Sequence, residues 1–178
     1  MKRSRHALLA AALLVTLTGA ARSQDAAAPS LPGGASTLQE TYQDWRLGCQ
    51  DAKPKPLCSV SQEQAQQNGQ RVLAIELVAG GKDGLTGNLI LPFGLMLDAG
   101  VALQIDDGQA GKPLRFSTCV PGGCVVPLKF DAAYVATLRA GTSLHLKAKS
   151  MDGKDVALAI SLKGLPGALD RLQALGGS

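Results

Sequence analysis

Residues 142–162 read TSLHLKAKSMDGKDVALAISL, and this stretch decides the fold. Leu144, Leu146 and Ala148 alternate with Ser143, His145, Lys147 and Lys149. After a break, Val156, Leu158, Ile160 and Leu162 share a second alternating face. A period of two is the pattern of a strand with one buried face. Asp152-Gly153 lies between the two runs, and such a pair tolerates the positive φ of a tight hairpin turn. The stretch therefore predicts two antiparallel strands over 142–150 and 155–162.

The same alternation recurs upstream. Leu73, Ile75 and Leu77 point one way within 71–78, as do Val101, Leu103 and Ile105 within 101–106. Further strands are expected over 42–49, 57–64, 86–91, 114–119 and 124–129. Turn sequences punctuate them: GGKDG at 80–84 and DDGQAGK at 106–112. About nine short strands at this spacing predict an all-β antiparallel sandwich or barrel. Aromatic residues make up 3% of the chain, too few for the girdles of a transmembrane barrel. Two helices interrupt the pattern. Asp131 can cap a helix over 132–139, with Gly141 just past its end. Pro166 can open a C-terminal helix in which Ala168, Leu169, Leu172 and Leu175 form one apolar stripe. Asp170, Arg171 and Gln173 would then face water. A packing role suits this helix better than docking on a partner.

The N-terminus sets the compartment. Lys2, Arg3 and Arg5 precede a run from Ala7 to Leu17 that ends in small residues, the layout of a secretory signal peptide over 1–21. The run is short of the ~20 residues that span a bilayer, which disfavours an uncleaved anchor. Cleavage fits Ala20-Ala21, with residues 26–28 as a second site. No cysteine stands nearby to carry a lipid. Residues 22–39 are rich in Ala, Ser, Pro and Gly and read as a flexible leader. A single domain is expected over 40–178. The formal charge of +4 drops to +1 once the three signal cations leave. No basic stripe interleaved with aromatics remains, which speaks against nucleic acid.

Cys49, Cys58, Cys119 and Cys124 form two local pairs. An even count outside the cytosol favours disulfides, and proximity favours Cys49–Cys58 and Cys119–Cys124. Two prolines stiffen the first loop, and Pro121-Gly122 marks a turn in the second. Zinc sites prefer two matched close pairs, and redox sites prefer Cys-x-x-Cys; neither spacing is present.

Chemistry is sparse. After signal removal His145 is the sole histidine, and no nucleophile has a base to serve it. Asp98, Asp106, Asp107, Asp152 and Asp155 mostly neighbour glycine; Asp106-Asp107-Gly108 is the best carboxylate pair, and turn formation explains it more simply than metal binding. Trp45 is expected to anchor a core edge near Cys49, with sugar stacking as the alternative. No catalytic, cofactor or metal residues are assigned, and no cofactor is expected.

Together the landmarks carry a resemblance. Trp45 precedes Cys49 and Cys58; Leu89-Ile-Leu-Pro-Phe-Gly-Leu95 leads into Asp98-Ala-Gly100; Phe116-Ser-Thr-Cys119 and Gly123-Cys124 follow; Ser161-Leu-Lys-Gly164 precedes the last helix. In this order they resemble the invasion-associated locus B family of exported bacterial proteins. The resemblance implies an immunoglobulin-like β-sandwich in the periplasm or envelope, and a part in host-cell contact where the bearer is a pathogen. Leu165 stands where the family usually has an aromatic, which should alter packing of the last helix. The leading expectation is a non-enzymatic exported protein that binds an envelope or host protein. The alternatives are a periplasmic chaperone- or inhibitor-like module that adds a strand, and a small periplasmic enzyme using turn aspartates with His145.

Overall fold

Ten strands and two α-helices are found among the described residues, 31–69 and 71–176 of a computed structural model. The expected signal peptide lies outside them. In chain order the elements are β1 (Thr37–Tyr42), β2 (Trp45–Gln50), β3 (Leu57–Ala65), β4 (Arg71–Gly80), β5 (Gly84–Leu91), β6 (Ala102–Ile105), β7 (Thr118–Val120), β8 (Gly123–Phe130), α1 (Ala132–Ala140), β9 (Ser143–Lys149), β10 (Asp155–Ser161) and α2 (Leu165–Gly176). A seven-stranded sheet runs β1-β2-β3-β4-β5-β8-β7, and a three-stranded sheet runs β10-β9-β6. Every pairing is antiparallel. The fold is the expected immunoglobulin-like β-sandwich with a C-terminal helix.

The alternating residues make the core. Leu47, Val60, Leu77, Ile75, Leu89 and Val126 follow one another across the large sheet in register and are buried. Leu144, Leu146 and Ile160 meet them from the small sheet. Burying a side chain of this size contributes ~1.5–3 kcal/mol. Helix α2 turns Ala168, Leu169, Leu172 and Leu175 inward, as their spacing requires.

The two sheets are also joined by polar contacts. Trp45 is fully buried, and its Nε1–H donates to the Ser161 carbonyl at 2.8 Å. Gln62, a buried polar residue, donates to the same carbonyl at 2.9 Å and accepts from the Ser161 N–H at 3.2 Å. Gln64 donates to the Ala159 carbonyl at 2.7 Å. These side chains satisfy the outer edge of β10 where a further strand would otherwise pair.

Several boundaries differ from the sequence expectation. The domain includes residues before 40. Leu31 is buried in the core, Pro32–Gly34 form a 3₁₀ turn and β1 starts at Thr37. Within 22–39, therefore, residues 31–39 belong to the domain, because Leu31 finds apolar neighbours that composition alone does not reveal. Residues 42–49 are not one strand. The chain reverses at Gln43 (φ 52°) and Asp44, so that β1 and β2 pair. Of 114–119, only the end is strand; Leu114 makes an isolated bridge to Val101. Asp131 caps α1 through the Tyr134 N–H at 2.8 Å. Gly141 ends it with φ −81°, not in the left-handed form expected of a C-cap glycine.

Gly164, from the closing motif, has a different role. Its φ is +87°, and a Cβ there would lie 1.9 Å from the Tyr42 carbonyl oxygen. The chain can cross β1 and enter α2 only without a side chain at this position. Leu165, in place of the expected aromatic, is fully buried beside it.

Candidate functional site

The four cysteines occupy directly opposed positions on neighbouring strands. Cys49 of β2 pairs with Cys58 of β3, and Cys119 of β7 with Cys124 of β8; both pairs are disulfide-bonded. Cys49 and Cys124 are buried, whereas Cys119 is exposed. With both bridges closed, no thiolate is left to ligate a metal.

Asp106 is the most tightly held of the turn aspartates. It has φ 46°, and its carboxylate accepts from the Thr142 hydroxyl at 2.6 Å, the Thr142 N–H at 3.1 Å and the Ser143 N–H at 2.9 Å. The Thr142 hydroxyl, then the backbone donors, hold its pKa below the usual carboxylate value, with a lesser attraction from His145. A carboxylate kept ionised by three donors makes a poor general base. It ties the end of β6 to the start of β9. His145 sits mid-strand in β9 between Gln104 and Ala159, and no nucleophile hydrogen-bonds to it among the described residues. Asp152 is held by Lys154 and Ser150, and Asp155 by Lys149; each is shifted down by those partners. Among the described residues no three His, Cys, Asp or Glu side chains cluster as metal ligands, and no helix is long and apolar enough to cross a membrane.

Sequence reasoning missed two features. Arg171, expected to face water, grips Glu40 with Nε at 3.0 Å and Nη2 at 2.9 Å. Tyr42 donates to the same carboxylate at 2.6 Å. The Arg171 hydrogen bond, then that of Tyr42, lowers the Glu40 pKa. The partners are 131 residues apart, so no local spacing could have announced them. The second feature is a set of exposed apolar side chains. Leu95 bridges to Ser150, the Met96 N–H donates to the Lys149 carbonyl and the Met151 N–H to Gly94. The pairing brings together the segments that carry Phe93 (62% exposed), Met96 (40%), Leu97 (43%) and Met151 (77%). An interrupted strand pattern around 93–97 was the available signal.

The comparisons with known proteins converge. The family model described as invasion associated locus B (IalB) protein matches residues 45–173. An invasion protein B homolog of Brucella abortus strain 2308 is 54% identical over 157 residues, covering 86% of this chain and 89% of that protein. Invasion protein B of Bartonella bacilliformis is 34% identical over 149 residues, covering 82% and 80%. The crystal structure of invasion associated protein B from Bartonella henselae superposes with a TM-score of 0.73 at 36% identity, covering 78% of this chain and 96% of that one. The matched span runs from the buried Trp45 through both disulfides into α2, and on that basis the chain belongs to the invasion-associated locus B family.

Proposed function

We propose that this is an exported, non-enzymatic envelope protein that acts by binding a protein partner. The observation that carries the reading is the exposed set Phe93, Met96, Leu97 and Met151, held in place by backbone hydrogen bonds between two segments. Large apolar side chains exposed on two paired segments of a small domain favour an interface. Two disulfides suit an oxidising compartment, which supports export. Relatives named invasion proteins make a host protein one of the partners to try. Asp106 and His145 support catalysis poorly, because the carboxylate is spent on Thr142 and Ser143.

Strand addition is less well supported. Trp45, Gln62 and Gln64 occupy the C-terminal part of the β10 edge. On β8, Val125 directs its carbonyl outward to Ser117, so Pro127, two residues on, turns its missing N–H to the same open edge.

The test is affinity capture from bacterial envelope extract and from host-cell extract with the wild-type domain and with a Phe93→Ser, Met151→Ser double variant. The reading expects one or more proteins retained by the wild type and lost by the variant. Equal retention by both, or none by either, would overturn it.

A further inference from the structure

A second site lies away from the exposed apolar set. The turn between β4 and β5 faces α1 and α2 across a cleft of about 440 Å³. Small-molecule sites typically occupy ~300–1,000 Å³. Helix α1 contributes Ala132, Val135, Ala136 and Arg139, spaced as one helical face. Leu85, Leu169 and Leu172 complete apolar walls. The two alanines are exposed and leave room that larger residues would fill.

The rim carries a small excess of positive charge: Lys55, Lys82 and Arg139 stand against Asp83 and the Asp170 carboxylate that pairs with Arg139. Arg139 is fixed there by Asp170 at 2.7 Å and by the Pro166 carbonyl at 3.2 Å. Apolar walls below a lip of net positive charge match a molecule with one apolar tail and one negative head.

The turn itself is unusual. Gly81, Lys82 and Asp83 have φ of 36°, 43° and 61°. For a side-chain-bearing residue this conformation is sterically disfavoured. Neither Lys82 nor Asp83 makes a side-chain hydrogen bond or ion pair among the described residues. Uncompensated backbone strain of this kind gathers at ligand clamps.

We propose that this cleft binds a single-chain anionic amphiphile. Its tail lies between α1 and α2, and its carboxylate or phosphate sits against Lys82 and Arg139. The site is separate from the Phe93 and Met151 segments, so either can fail without the other.

The test is calorimetric titration of the full mature chain with three probes below their micelle concentrations: dodecanoate, a dodecyl lysophosphatidate and dodecyl maltoside. One saturable site is expected for at least one anionic probe, with the neutral maltoside weaker by about tenfold or more. Binding by dodecanoate alone, lysophosphatidate alone or both supports the site and identifies the head group. Lys82→Glu should weaken binding by about tenfold. Ala136→Phe, a change at an exposed position, should abolish it while the circular dichroism spectrum is unchanged. If Ala136→Phe fails to fold, Lys82→Glu alone decides. Absence of binding by both anions, equal binding of the maltoside, or wild-type affinity in either folded variant would overturn the proposal.

Discussion

The turn after β6 and the turn between β4 and β5 both place residues with side chains in the left-handed region, and they hold them by opposite means. Asp106 (φ 46°) is compensated on the spot, since its carboxylate takes up the Thr142 hydroxyl and the N–H groups of Thr142 and Ser143. Lys82 and Asp83 (φ 43° and 61°) have no such partners among the described residues, and they stand at the lip of a cleft. A strained residue with local partners is explained by the fold. A strained residue without them asks for an explanation from function.

The largest expected effect tests how closely the β4–β5 turn is packed. Gly84→Ala would place a Cβ 2.8 Å from the Phe130 carbonyl and 2.9 Å from that of Gly80. Urea denaturation should show a loss of about 1–3 kcal/mol. Asp106→Ala comes next. It strips the partners from Thr142 and Ser143, so thermal unfolding should shift clearly downward; an unchanged midpoint would erase the distinction between the turns. Asp83→Gly should have the opposite sign, a gain of up to about 1 kcal/mol as the left-handed cost is relieved.

The smallest effect is on pH dependence. The Asp106 pKa is lowered on folding from its usual 3.8, so its contribution is present above that value and is lost as pH falls through the depressed one. Glu40, lowered from 4.5 chiefly by Arg171, follows the same sign. Below about pH 4, Asp106→Asn should show a shallower fall in unfolding midpoint than the wild type. A parallel fall would mean that the carboxylate does not hold the turn.

Much of the architecture was legible because strand alternation is a local signal. Leu144, Leu146 and Ile160 lie buried as their period demands, and Asp152-Gly153 makes the turn between β9 and β10. The paired cysteines could be read as neighbours because each pair closes one hairpin. What stayed hidden was non-local or lacked turn residues. The Gln43–Asp44 reversal carries neither Gly nor Pro, so β1 merged with β2. Leu31 sits in a Pro-Gly-rich stretch whose composition suggests a linker, yet a single apolar side chain anchors it. Arg171 reads as a solvated helix residue until the fold brings Glu40 beneath it. The cleft escaped notice because its walls come from four separated elements, and positive φ at Lys82 has no signature in a sequence.

Lys82→Gly brings both halves of the comparison into one protein. Stability by urea denaturation and affinity by calorimetry for the anionic probe that binds the wild type (dodecanoate or the dodecyl lysophosphatidate) should move in opposite directions, with a gain of roughly 0.5–1 kcal/mol in the first and a loss of about tenfold in the second. A variant that is more stable and binds that probe as well as the wild type would contradict the view that this turn keeps its strain for a ligand.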